Sequence, residues 1–184
     1  MGLNNDSNQW HNQVQTAFPI PNKTKYEFKS IGIIHTAFEQ ATGTPIQPKS
    51  EQASLGSITL NPAYLAGLTD LEGFSHIILL YVFDRIRNPQ LVVKPFLGDR
   101  EHGIFATRAP ARPNPIGISI VRLLSVTDNL ISFSGADMLN NTPLLDIKPY
   151  VPSFDQHSID RIGWLEERVN RLSDTCDDGR FLED

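Results

Sequence analysis

Residues 75–86, "SHIILLYVFDRI", form an almost unbroken apolar run of strand length, rich in Ile, Leu, Val, Tyr and Phe. A run with no polar alternation predicts a strand covered on both faces, in a barrel or a covered sheet. Its neighbours are shorter and just as β-prone: a first strand within "YEFKSIGIIHTAF", another at Ser57–Leu60, then "LVVKPFL", "GIFATRA", "GISIVRLLSVTDN", "LISFSGADML" and "PLLDIKPYV". Gly, Pro and Asn punctuate them at short spacing, the pattern of antiparallel all-β folds. Asn61 and Pro62 supply a cap and a first position for one short helix. In "SIDRIGWLEERVNRL", Ile159, Ile162, Leu165, Val169 and Leu172 share one helical face behind Ser158 as cap. The expected fold is therefore mainly β: a small antiparallel or mixed β-barrel with short helices and a C-terminal amphipathic helix.

The 184 residues suffice for one domain with a sizeable core. Residues 1–25 are polar and read as a loosely held arm, 26–165 as the barrel domain, and 166–184 as the end of the helix plus a frayed acidic tail. No apolar run reaches membrane-spanning length, and the N-terminus lacks the basic and apolar regions of a secretory signal. The single cysteine, Cys176, cannot form an internal disulfide, and its acidic neighbours oppose thiolate formation. A cytoplasmic location is expected, with no membrane partner. The five histidines are scattered and no zinc-type spacing occurs, so no metal is expected. Dinucleotide, Walker and nucleophile-elbow motifs are likewise missing.

Charge is unevenly placed. From Asp84 to Arg122 there are seven Lys/Arg and three Asp/Glu, a net of +4 in a chain of net −5. That leaves two readings, a solvated face or a footprint for an anionic ligand or phosphate. Within this sector "FATRAPARPNPIG" combines Pro110, Pro113 and Pro115 with Arg108 and Arg112. Prolines fix φ and remove donors, so the segment is stiff, and stiffness reduces the entropy lost in gripping a ligand. Arg108 and Arg112 are then presented on a fixed frame, and Asn114 adds an amide able to pair with a base edge or carboxylate. Two further clusters stand out. Ser75 and His76 sit where a loop enters the apolar strand, either closing a turn or forming a site at its rim. Asp146, Lys148 and Tyr150 alternate and so share one strand face. They form either a structural ion pair or a site whose carboxylate accepts a proton.

Taken in order, "GTPIQ", "LEGFSHIILLYVF", "GIFATRAPARPNPIGISIVRL" and "TPLLDIKPYVP" resemble the TsaA-like family, which includes the TrmO-type tRNA methyltransferases. The likeness runs from about Phe28 to Trp164. It implies a small β-barrel that binds S-adenosylmethionine, acts as a homodimer, and methylates the exocyclic nitrogen of threonylcarbamoyladenosine beside the anticodon of tRNA. It also implies cofactor contacts at Pro45, Ile46, Gln47, His76 and Arg108, and along Leu145, Asp146, Ile147 and Lys148. Arg108, Arg112 and Asn114 face the substrate in this reading. Asn140 and Asn141 replace the family's usual Asp-Gly, a change tolerated because Asn accepts the left-handed conformation. Bacterial members often carry a further C-terminal domain, and none is expected here.

The chemistry implied is in-line attack of a ureido nitrogen on a sulfonium methyl, which mainly requires alignment. Asp146 is the expected proton acceptor, oriented by Lys148 and Tyr150. The alternative from another class is a non-catalytic S-adenosylmethionine-binding module that regulates a partner.

Overall fold

The computed structural model describes residues 25–47 and 54–182. The expected N-terminal arm falls outside them, up to residue 24. Six strands close into one antiparallel barrel in the order β1 (Gly32–Thr36), β2 (Leu55–Leu60), β7 (Leu130–Ser134), β6 (Ile116–Thr127), β3 (His76–Val82) and β8 (Thr142–Pro149). β8 pairs back onto β1 through Gly32–Leu144 and Ile34–Thr142, so the sheet has no free edge. Two further strands, β4 (Val92–Val93) and β5 (His102–Gly103), form a separate ribbon.

Period-2 alternation decides what fills the barrel. Ile34, Ile58, Leu60, Ile77, Leu79, Tyr81, Val121, Ile131, Phe133 and Leu144 point inward and are buried. Complete burial of one such side chain stabilises by about 1.5–3 kcal/mol. β3 is inward-facing at alternate positions, and its other face is half-covered rather than buried. There Ile78, Leu80 and Val82 pair with Ile120, Ile118 and Ile116 of β6, which are 45%, 48% and 41% exposed. The run is apolar throughout because its outer face belongs to an exposed apolar patch.

Other departures have local causes. "LVVKPFL" keeps only two paired residues, since Pro95 has no N–H to give. "GIFATRA" pairs at His102–Gly103 and then turns into a 3-10 helix, Ile104–Ala106, closed by the Thr107 N–H and hydroxyl on the Ile104 carbonyl. The expected C-terminal amphipathic helix does not form. Ile159 is 70% exposed and Gly163 adopts φ +63°. Two short 3-10 helices, Gly163–Leu165 and Val169–Asp174, stand in its place. The acidic tail is also packed: Asp177 exchanges backbone hydrogen bonds with Gly43 and Thr44, and Phe181 packs on Val93, Ile104 and Ala109. The cap at Asn61 is as expected, its side chain accepting from Ala63 N ahead of the 3-10 helix Pro62–Leu68. Asn141 takes the left-handed conformation, φ 66°.

One interior position is sterically fixed. A Cβ on Gly117 would lie 2.2 Å from Cε2 of Tyr81, whose ring is 3% exposed and whose hydroxyl is hydrogen-bonded. Neither ring nor strand can yield cheaply. Gly117→Ala is expected to destabilise the barrel by about 1–3 kcal/mol. A urea midpoint equal to that of the parent would refute this packing.

Candidate functional site: a cavity at one end of the barrel

At the end of the barrel where β1, β3 and β7 finish and β6 and β8 begin, a cavity of about 770 Å³ opens. Its size is within the range of small-molecule and cofactor sites. The walls come from residues 44–47 after β1, Phe83–Ile86 after β3, Pro95–Leu97, the turn Phe105–Arg112, Ile116–Ile118, and Asp137–Leu139 after β7. A further wall is the C-terminal segment: Trp164, Leu165, Val169, Asp177, Phe181 and Leu182. That segment is tied to the 43–45 loop by Gly43 N to Asp177 O and Asp177 N to Thr44 O, both 2.8 Å, and by the Pro45–Cys176 bridge. Arg180 anchors it further, donating to the Lys94 carbonyl at 3.2 Å while pairing with Asp178.

The lining is mostly apolar, and two of its polar groups, Asp137 and Tyr81, are joined into a chain by Ser119. Ser119 Oγ donates to Asp137 Oδ1 at 2.6 Å, and the Tyr81 hydroxyl lies 3.0 Å from Ser119 Oγ. With the serine proton committed to the carboxylate, the tyrosine is the donor to serine. Burial pushes the Asp137 carboxyl up to about 6, opposed by the Ser119 hydrogen bond and the Arg108 charge. Burial and the Asp137 charge together raise the Tyr81 phenol, which stays neutral. On another wall Arg108 Nη1 donates to Gln47 Oε1 at 3.0 Å, joining the proline-stiffened segment to the 44–47 loop. Arg112 Nη1 donates to the carbonyls of Ile104 (3.2 Å) and Thr107 (2.9 Å), pinning the turn between them. Arg85 donates to the Glu39 and Asn140 carbonyls, fixing two more loops of the rim.

Of the residues singled out in the sequence, Pro45, Ile46, Gln47, Arg108 and Arg112 line this cavity. His76, Asn114, Leu145, Asp146, Ile147, Lys148 and Tyr150 do not. His76 begins β3 at its far end, with Ser75 Oγ 3.0 Å from its Nδ1 and the Tyr150 ring 6.4 Å away. Asp146 and Lys148 form a 2.7 Å ion pair with side chains 43% and 58% exposed. They stand opposite Leu80 and Ile78 on β3, at the border of the exposed apolar patch. Leu145 is the extra residue of a bulge between the Tyr81–Leu144 and Leu80–Asp146 pairs. Sequence reasoning missed Asp137, Tyr81, Ser119, Asp84, Arg85, Phe105 and Trp164, all of which except Ser119 line the cavity. A signal existed for Asp137 alone, a carboxylate directly after the inward-alternating "ISFSGA".

A closed antiparallel barrel with an apolar cavity, a deep carboxylate and an arginine-bearing rim at one end defines a small-molecule-binding barrel. Residues 33–156 match the model of the tRNA-methyltransferase O N-terminal domain. A probable S-adenosyl-L-methionine-binding protein of Pyrococcus abyssi is 49% identical over 155 residues, 84% of each chain. The tRNA (adenine(37)-N6)-methyltransferase of Mus musculus is 33% identical over 162 residues, covering 80% of this chain and 37% of that one. The crystal structure of TrmO from Pseudomonas aeruginosa superposes with a TM-score of 0.65 at 36% identity, over 77% of this chain and 63% of that one. The chain belongs to the tRNA-methyltransferase O family, a family of S-adenosylmethionine-dependent methyltransferases.

The Asp137 carboxyl titrates higher in the fold, at about 6, than its ordinary 3.8. Below pH 4 both states hold the proton and the residue costs nothing. Between pH 4 and 6 only the folded protein holds it, so stability falls as pH rises, and above 6 the loss is constant. Asp137→Asn removes that loss, on the order of 3 kcal/mol. The variant is expected to melt above the parent at pH 7.5 and level with it at pH 4. A variant less stable than the parent at pH 7.5 contradicts the burial argument.

Proposed function

We propose that this chain is a tRNA methyltransferase that holds S-adenosylmethionine in the cavity and methylates the exocyclic nitrogen of threonylcarbamoyladenosine beside the anticodon, in the cytoplasm. The observation that carries this reading is the convergence of the Asp137 carboxylate and the Arg108–Gln47 pair on one apolar cavity. S-adenosylmethionine has an amino-acid end, an adenosine and a cationic sulfur, and the donor set matches each. Arg108 and Gln47 suit a carboxylate, the carboxylates of Asp137 and Asp84 suit cationic groups, and Tyr81, Phe83, Ile118 and Leu139 suit a purine ring. The bound cofactor supplies an electrophilic methyl group.

The chain's own residues then have three tasks. The apolar walls exclude water. Arg108, held by Gln47 on a frame stiffened by Pro110 and Pro113, fixes orientation with little entropy to lose. Methylating a ureido N–H releases one proton, and Asp137, charged just above pH 6 and oriented by Ser119, accepts it. Asp146, paired with Lys148 outside the cavity, is not needed for this step in our proposal.

The active form in this reading is a homodimer. Ile116, Ile118 and Ile120 with Ile78 and Leu80 form an apolar patch that adjoins the cavity through Ile116 and Ile118. Such a patch marks an association surface. Arg122, His76 and the Asp146–Lys148 pair give it a polar rim.

The test uses threonylcarbamoylated tRNA, S-adenosylmethionine and mass spectrometry. One added methyl on the modified adenosine is expected, and none on tRNA lacking the modification. Arg108→Ala should weaken the cofactor about tenfold by calorimetry. Asp137→Asn should weaken the cofactor several-fold and, at saturating cofactor and tRNA, cut the single-turnover rate roughly 100-fold. The parent rate should rise with pH through about 6 and then level off. Cofactor binding with no methyl transfer to any tRNA would favour the alternative, a regulatory cofactor-binding module.

Light scattering checks the assembly. The parent should give twice the chain mass of 20.6 kDa, and Ile118→Asp should give the monomer. A monomeric parent at tens of micromolar rejects the pairing.

A further inference from the structure

We propose that Phe105 and Trp164 form a stacking shelf at the cavity mouth that receives a purine base of a single-stranded RNA substrate, with Arg112 as its cationic partner; this rests on the methyltransferase reading of the cavity.

Both rings line the cavity, and both are tied to one rigid turn. Phe105 is the middle residue of the 3-10 turn Ile104–Ala106. Ile104 is buried at 1%, whereas Phe105 is 78% exposed. The turn cannot rotate to hide the ring, because Arg112 holds the carbonyls of Ile104 and Thr107. The same guanidinium lies 6.0 Å from the Phe105 ring centroid, at the limit of a cation–π contact. Trp164 is fixed from the other side, its Nε1 donating to the Ala106 carbonyl at 2.8 Å and its ring stacked on His102 at 4.4 Å.

A lone exposed phenylalanine needs no explanation. This one stands on a backbone held by charge-assisted hydrogen bonds, beside a second anchored aromatic, at the opening of the cavity. The setting favours RNA over a protein partner. The turn lies in the +4 sector of a −5 chain, and Arg112 stands beside its exposed ring. Splayed bases are gripped by aromatic faces and guanidinium planes, while positive charge holds the backbone. A base seated on Phe105 carries its exocyclic edge to the cavity that Asp137 lines.

The experiment measures fluorescence anisotropy of a labelled adenosine hexaribonucleotide at one fixed ionic strength, with an abasic hexamer as control. Phe105→Ala should weaken the adenosine probe about fivefold or more, and Phe105→Tyr should bind within about twofold of the parent. Phe105→Ala should leave the abasic probe and the melting temperature unchanged. Unchanged adenosine-probe affinity in Phe105→Ala overturns the shelf. So does equal loss on both probes, a monomeric Phe105→Ala protein, or a parent that binds neither probe. A flat cofactor titration alongside Phe105-dependent adenosine binding supports the shelf and refutes the methyltransferase reading. Cofactor binding without Phe105 dependence removes the shelf alone.

Discussion

Tyr81 is the residue on which barrel and cavity jointly depend. It is the last inward side chain of its strand, and its ring fits only because the facing strand has Gly117. Its hydroxyl meets Ser119, which in turn donates to Asp137. The ring therefore plugs the barrel at the point where the hydrophobic interior gives way to the site. Its neutral phenol keeps the Ser119 proton aimed at the carboxylate. A buried hydrogen-bond chain is stabilising only when each member is satisfied, so the three residues stand or fall as a unit.

Much of the barrel was legible because period-2 alternation is a local signal. Ile77, Leu79 and Tyr81 fill the interior and Ile78 and Leu80 do not, yet both sets are apolar, so the sequence could not tell a two-sided core from a core plus an exposed patch. The alternation of Asp146, Lys148 and Tyr150 does put Asp146 and Lys148 on one face. Which face is a matter of barrel closure, and closure turns that face outward. The helical periodicity of residues 158–172 misled for a related reason. Leu165 and Val169 of that stripe do reach the cavity wall, but from 3-10 turns, while Ile159 stays exposed. Periodicity reports which residues seek cover, and tertiary contacts choose the backbone that supplies it.

The proline-stiffened segment repaid a local reading, because its constraint is covalent. Pro110 fixes the path between Arg108 and Arg112, and Pro113 restricts the backbone of Arg112 itself, whatever surrounds them. Arg108 reaches the 44–47 loop and Arg112 the 104–107 turn, so one short stretch organises two walls. Asp137 was passed over because its distinguishing property is depth. An acidic residue after an apolar strand looks like any loop carboxylate until the chain folds over it.

That depth has an energetic meaning. At neutral pH the Asp137 carboxylate is charged in surroundings that oppose charge, and the opposing pull of Ser119 and Arg108 is incomplete, since its carboxyl still titrates near 6. The fold thus carries a destabilising group that an asparagine would relieve. Proteins retain such groups where function requires them. A cation brought beside Asp137 lowers the cost by direct attraction, so a cationic ligand gains affinity from energy already spent in folding. The same placement raises the carboxylate's basicity to within about a unit of neutral pH, the range in which a proton acceptor is both charged and effective. In the reaction proposed above, one buried aspartate, fixed by a tyrosine that a glycine makes room for, underlies both the instability and the chemistry of this end of the barrel.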